Sequence, residues 1–546
     1  MTRHESVAVS DIRRTAIPHA FVALAILVLA ACSRDAASPA AQAAQTRSTP
    51  VIEVVELSAV DASDRMAAGS LTSRALTQAY LDRIQEIDDQ GPMLNAVIEI
   101  SSTAIVEADA LDAERKAGRV RGPLHGIPIL IKDNIDSVGM INSAGSLALA
   151  GNRPRQDAFI VGRLRDAGAV IIGKTNLSEW ANFRSSRSTS GWSSRGGQTK
   201  NPYVLDRNPC GSSAGTGAAI AASLASIGVG TETDGSIICP ASVNGLVGIK
   251  PTVGLVSRRG IIPIAASQDT AGPMARSVAD AAMLLTALAA VDEEDPAARA
   301  AKGKIPQGYW PTADAELKSR RVGVLRQAMG FHPDVDAAFE KAVGFIREAG
   351  ATVVDVTIGR YNEWNDAELE ILLYEFKDGL NQYLKSSGSP HASLEALIAF
   401  NKAHADTVMP FFGQDLFERA QAKGPLSEAA YRNAREHAQR LAGTDGLLAA
   451  LNRDRLDAIL APSMSPAWLI DHVLGDHFVG AGYGMAAVAG TPSITLPIGD
   501  VDGLPLGLTI MGREYSEADI IALAHALEQK IRARKPPQFK PTLGSR

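Results

Sequence analysis

Cysteine is scarce: the 546 residues hold three, Cys32, Cys210 and Cys239. Three cannot build a disulfide scaffold, and no Cys-x-x-Cys or Cys/His spacing offers a metal site. A long basic run is also missing and the net charge is -6, which argues against a nucleic-acid partner. The apolar run from Ala20 to Ala31 is shorter than the roughly 20 residues that span a bilayer. No internal repeat is visible. What is present is ordinary globular composition, 46% apolar and 21% charged. That excludes disorder throughout, a collagen-like fibre and a multi-span membrane protein. At about 150 residues per domain the length suits three or four domains, or one large α/β unit.

The apolar run follows Arg13 and Arg14 and has the length of a signal-peptide core. It ends Leu29-Ala30-Ala31-Cys32, which resembles a bacterial lipobox, where small residues precede a cysteine that takes a diacylglycerol. The expectation is a signal peptide over 1–32 with lipidation at Cys32. The protein is then exported to the cell envelope, a periplasm-facing lipoprotein that touches membrane only through this anchor. Ser33 in place of Asp favours the outer membrane. The plainer alternative is a secretory signal with an incidental cysteine. Residues 33–52, rich in Ala, Ser, Gln and Thr, read as a flexible tether.

Beyond the tether the grammar is that of an α/β sheet. Leu76, Tyr80, Ile84 and Ile87 recur at helical spacing after Thr72 and Ser73. Asp157 is placed to cap a helix through Ala167, and Gly168 to end it, before a buried strand Ala169-Val170-Ile171-Ile172. The order returns as a strand at Val322 to Leu325, a helix from Asp334 to Ala349, Gly350, and a strand at Thr352 to Val354. Further strands are expected at Asp457 to Ala461 and Leu506 to Met511, and a helix capped by Ser516 to Asp519. Residues 295–450 are more charged and helix-prone, and read largely as a helical insertion or cap. The main domain is expected over 53–535, with a tail at 536–546.

Two motifs mislead. Gly168 to Thr175 matches a P-loop letter for letter, but its inner residues Ala, Val, Ile and Ile belong in a buried strand. Gly211-Ser212-Ser213-Ala214-Gly215 matches a nucleophile elbow. An elbow must follow a buried strand, and the polar stretch Asn201 to Pro209, with two prolines, supplies none.

Three segments carry chemistry. Gly126-Ile127-Pro128-Ile129-Leu130-Ile131-Lys132-Asp133-Asn134 puts a lysine directly after an apolar strand. In solvent it is an ordinary strand-end charge; desolvated, it becomes a neutral base. Cys210 to Gly217 leads small residues and two serines into a helix, as a plain Ser N-cap or as hydroxyls gathered at a positive helix end. Gly230 to Ala241 is a polar turn after Ile227-Gly228-Val229. It is a plain β-turn, or a turn whose successive amides face one point as an oxyanion hole.

Together these segments resemble the amidase-signature hydrolases. Gly173 to Glu179, Gly248-Ile249-Lys250-Pro251-Thr252 and Asp269 to Pro273 agree with that family, as does the spacing from Ser212 to Ser236. The likeness spans about 55 to 535. It implies an α/β/α sandwich around a large mixed β-sheet, with a helical insertion or cap, and a Ser-cisSer-Lys triad without cofactor or metal. Carried over, Ser236 is the nucleophile, Ser212 relays the proton across a cis bond after Gly211, and Lys132 receives it. The backbone amides of Thr233, Asp234, Gly235 and Ser236 form the oxyanion hole. Within the family the chain looks most like the bacterial peptide amidases, through Leu177 to Arg184, Thr231 to Ser236 and Leu373 to Lys377. That implies release of ammonia from the C-terminal amide of peptides, the substrate being a peptide or small-molecule amide. A broader acyl or aryl amidase, or a binding lipoprotein of the same fold without chemistry, are the alternatives. Asp234 stands where the commoner family turn has Gly, and Ile238 where it has Arg, which argues against a glutamine-dependent transamidase subunit. Cys210 and Cys239 flank the site segments; an envelope location allows a disulfide between them, and a free buried pair is the default expectation.

Overall fold

Short apolar runs separated by glycines form one mixed sheet. In a computed structural model of the chain, residues 52–311 and 317–544 are described. The expected signal, Cys32 and most of the tether lie outside them. The strands are β1 (Val97–Ile100), β2 (Pro128–Lys132), β3 (Val170–Thr175), β4 (Ile227–Glu232), β5 (Val247–Lys250), β6 (Thr270–Ala275), β7 (Arg321–Leu325), β8 (Thr352–Val356), β9 (Ala458–Pro462), β10 (Ser493–Val501) and β11 (Leu504–Met511). They lie in the order β1-β3-β2-β4-β6-β5-β10-β11-β9-β7-β8. β2 runs parallel to both β3 and β4, and β7 parallel to β8 and β9; the other neighbours are antiparallel. β2, β3, β4 and β6 are buried at every position. That is the reading of a strand covered on both faces, and it is why these runs do not alternate.

Helices cover the sheet. The one read from Leu76 onward runs Ser73–Arg83, and Thr72 caps it by accepting from the Ala75 amide. The stretch that mimics a P-loop is strand β3, entered through Gly168 at φ +82°. Asp157 does not cap the next helix, Phe159–Asp166. Its carboxylate instead accepts from the Val138 amide at 2.7 Å and from Arg165 Nε at 3.0 Å. Ser516 does stand at the N-cap of the helix Glu517–Ile531, where its carbonyl accepts from the Asp519 and Ile520 amides, but its hydroxyl donates to the Arg513 carbonyl instead of capping.

The helical part is narrower than 295–450. Residues 321–356 fold as β7, the helix Pro333–Glu348 and β8, which are sheet edge. Helices dominate only from Asn365–Ser387 onward, and Phe376 and Phe417 from them join Trp180 and Phe183 in a buried cluster. Arg184 fastens this cluster. Its fully buried guanidinium pairs with Glu179 at 2.8 Å and donates to the carbonyls of Val408 and Phe412. The C-terminal tail is not separate either: the Leu205 amide donates to the Lys540 carbonyl, the Lys540 amide to the Tyr203 carbonyl, and the Phe539 amide to the Pro202 carbonyl. Among the described residues no helix is long and apolar enough to cross a membrane.

Candidate active site

The site begins where β2 ends. Parallel pairing sets Ile131 beside Val229, so the Lys132 side chain meets Thr231 near the end of β4. Lys132 Nζ lies 2.8 Å from Thr231 Oγ1, 3.1 Å from the Thr231 carbonyl and 2.8 Å from Ser212 Oγ. Asn134 Nδ2 donates to the same Thr231 hydroxyl at 3.0 Å. Lys132 is fully buried. Burial pulls its pKa down to about 7, against weaker upward pulls from the charges of Glu232 and Asp269.

Ser212 follows a cis peptide bond from Gly211. Its neighbour Ser213 opens the helix Ala214–Ala221 without capping it. The Ser213 hydroxyl donates to the Thr231 carbonyl at 3.1 Å and accepts from the Thr231 amide at 3.2 Å. The two serines therefore differ: Ser212 faces the amine, and Ser213 clamps β4.

Ser236 lies four residues past β4, is 8% exposed, and accepts from the Ser213 amide through its carbonyl. Its hydroxyl makes no hydrogen bond among the described residues. The structure thus joins Lys132 to Ser212 directly and puts Ser236 on the adjoining turn, unbonded to either. Gly235 holds φ +75°, and a Cβ there would run into the Tyr483 ring, so only glycine fits. Of the four expected oxyanion amides, Gly235 is drawn to the Glu232 carboxylate, which also accepts from Ile237 and Ile238 at 2.7 and 2.9 Å. The amides of Asp234 and Ser236 make no hydrogen bond among the described residues. Thr233 donates its hydroxyl to Asp269 at 2.5 Å. Burial pushes the Asp269 carboxyl up to about 6. A cavity of about 270 Å³ opens on Ser212, Thr231 and Thr233, with walls that include Ile261, Ile264 and Arg258.

Cys210 and Cys239 form a disulfide, with Cα atoms 6.0 Å apart. This corrects the expected free pair. Cys210 immediately precedes Gly211, and Cys239 lies three residues past Ser236, so the bond ties the two serine segments together. Three supports were not foreseen. Thr231 holds the amine, and Asn134 holds the Thr231 hydroxyl. Glu232 stands behind the turn with Lys250, whose pKa burial lowers to about 8. Lys174 braces the loop after Lys132 by donating to the Ile135 carbonyl at 2.6 Å and pairing with Asp133 at 3.4 Å. The only sequence signal for these was their place inside the segments already singled out.

Fold and site define a class: an amidase-signature hydrolase, with a serine in contact with a buried lysine where β2 and β4 run side by side in a large mixed sheet. A family model described as Amidase matches residues 75–521, and the chain belongs to that family, as an amide hydrolase. The native peptide amidase of Stenotrophomonas maltophilia has a solved structure that superposes with a TM-score of 0.85. It is 52% identical, over 89% of this chain and 99% of that one. A protein of Arabidopsis thaliana named probable amidase is 38% identical, over 86% of this chain and 89% of its own length. One subunit of the glutamyl-tRNA(Gln) amidotransferase of Symbiobacterium thermophilum is 34% identical, over 87% of this chain and 96% of its own.

Proposed function

We propose that the chain hydrolyses the C-terminal amide of peptides, releasing ammonia, with Ser236 as nucleophile, Ser212 as proton relay and Lys132 as base. The contact between the desolvated Lys132 amine and Ser212 carries this reading. A neutral amine has two N–H donors and one lone pair. The Thr231 carbonyl and hydroxyl accept both donors, which leaves the lone pair for the Ser212 O–H. Lys132 can then take a proton from Ser212 as Ser212 takes one from Ser236.

Ser236 Oγ attacks the amide carbon, and the carbonyl electrons move onto oxygen. Free amides of the turn receive that charge; one such donor is worth about 3 kcal/mol. Collapse breaks the C–N bond, and the proton held by Lys132 returns through Ser212 to the leaving nitrogen. Ammonia departs and the acyl group stays on Ser236. Water then attacks the ester by the same route, giving the free acid and restoring Ser236. The peptide substrate is supported by the likeness to the Stenotrophomonas maltophilia peptide amidase, 52% identical over nearly its whole length.

The test is incubation with an amidated dipeptide, with assay of ammonia and of the free dipeptide acid. Both should appear in equal amounts. Ammonia from simple acyl or aryl amides but not from the dipeptide would replace the substrate; none from any amide would leave a binding protein. We further propose that the mature chain is an envelope lipoprotein anchored through Cys32, so that Cys32→Ala moves it from the membrane fraction to the soluble one. Wild-type protein that is soluble, with no lipid at its N-terminus, would refute this.

A further inference from the structure

A second cavity, of about 280 Å³, adjoins the same turn. Thr233 borders the first cavity and Asp234 the second. The second has aromatic walls, Tyr361, Trp364, Tyr483, Phe331 and Phe478 among them. The Asp234 carboxyl faces Gly484, where a Cβ would sit 3.7 Å from both its oxygens. Its Oδ1 is shielded from solvent and has no hydrogen-bond partner. The hydroxyls of Tyr361 and Tyr483 have none either among the described residues. Glu368, itself buried, is the like charge that acts most strongly on Asp234, and it accepts from Gln268 Nε2 at 2.8 Å.

Asp234, half-buried, thus lines the cavity, and the buried Glu368 acts on it through its charge without lining the cavity itself. Neither forms an ion pair with a basic side chain among the described residues, and Lys250 acts on Asp234 only at longer range. Burial pushes Glu368 up to about 7, against the hydrogen bond from Gln268, and burial followed by the charges of Glu368 and Glu232 pushes Asp234 well above the usual carboxylate range. A buried carboxylate is costly unless a cation answers it. Aromatic faces beside an anion suit a cation in particular. The cavity therefore lacks one component, a positive charge from outside the chain.

We infer that this cavity is a subsite for a positively charged group of the substrate, an ammonium or guanidinium that pairs with Asp234 among the rings of Tyr361, Trp364 and Tyr483, with the charge of Glu368 behind Asp234 adding to its attraction. The identity of the molecule rests on the peptide-amide reading above. Reach agrees with it. Asp234 is two residues from Ser236, at most about 7 Å of backbone. A charge on Asp234 is then about one or two residues from the scissile carbonyl. Either the N-terminal ammonium of a short peptide amide or the side chain of a C-terminal Lys or Arg amide could supply it.

Two substrate pairs separate these sources. Ala-Phe amide against N-acetyl-Ala-Phe amide reads the terminus; N-acetyl-Ala-Lys amide against N-acetyl-Ala-norleucine amide reads the side chain. At pH 8 the wild type should prefer the charged member of one pair at least tenfold in kcat/KM. Asp234→Asn and Glu368→Gln should each bring that ratio to within about threefold of unity. Damage to the turn would scale both members of a pair alike and leave the ratio, so a preserved ratio, or none in the wild type, overturns the inference. Calorimetry on Ser236→Ala reads binding without turnover. The charged peptide should bind more tightly than its neutral twin, and Asp234→Asn should erase the difference. If the wild type releases no ammonia from any of the four, yet Ser236→Ala binds the charged member through Asp234, the peptide-amide reading fails and the cation subsite stands. Ammonia release with equal binding of charged and neutral peptides does the opposite: the peptide-amide reading stands and the subsite fails.

Discussion

The burial of Lys132 sets a pH dependence that can be worked through. A lysine in water has a pKa near 10.4, so about one molecule in 2,500 is neutral at pH 7. With the pKa lowered to about 7, half are neutral there. Desolvation therefore raises the population of competent base by about a thousandfold, equivalent to about 4 kcal/mol of barrier. With a midpoint at about 7, the neutral fraction is about 0.09 at pH 6 and 0.9 at pH 8. Neutral amine increases with pH, so kcat/KM should rise about tenfold over that interval and then level off. An exposed lysine would give a rise of about a hundredfold with no plateau below pH 10. The assay is ammonia release from an amidated dipeptide between pH 5.5 and 10, for the wild type beside Lys132→Ala. Asp269 and Glu368, pushed up to about 6 and about 7, titrate in the same window, and the variant retains them. Any limb left in Lys132→Ala belongs to those acids. A wild-type midpoint above 9, or a variant that keeps both the rate and the limb, would refute the argument.

The same burial costs stability. Lys132 has its pKa lowered on folding, so the native state binds fewer protons than the unfolded state between about 7 and 10.5, and stability rises with pH across that window. Denaturant midpoints should show Lys132→Met losing its advantage over the wild type by about 1.4 kcal/mol per pH unit from 7.5 to 9.5; a constant gap contradicts this. Arg184→Ala strands the buried Glu179 carboxylate and should cost about 3–5 kcal/mol, read from the same melts at pH 7.5, whereas a loss under about 1 kcal/mol would show the pair to be dispensable. Tryptic peptides holding Cys210 and Cys239 should run as one species until reduced, and Cys210→Ala with Cys239→Ala should lower stability by about 3–4 kcal/mol for a 29-residue separation. Ser212→Ala should lower kcat far more than Ser213→Ala, because only Ser212 touches the amine; the reverse order would reassign the relay.

Much of the centre was legible because each segment carries its own local signal. β2 and β4 are apolar runs that end in a lysine or a polar turn, and both serines stand among small residues. Thr231 was not legible as the amine's partner, since that contact depends on the parallel register of two strands nearly a hundred residues apart. The disulfide was hidden for the same reason: it requires knowing that the fold brings Cys210 within 6.0 Å of Cys239, in the helix Ile238–Val243. Asp157 shows the limit of a local rule. It has the composition of a helix cap, but Arg165 and the Val138 amide take its oxygens. Residues 321–356 were masked by their charged surroundings, although their individual strands were visible.

The most direct measurement of the central claim is ammonia release from an amidated dipeptide by Ser236→Ala, at pH 8, on protein whose melting temperature matches the wild type. Loss of kcat by a thousandfold or more, about 4 kcal/mol, is the predicted result. Activity within about tenfold of wild type, a barrier change under about 1.4 kcal/mol, would mean that the acyl group never rests on Ser236.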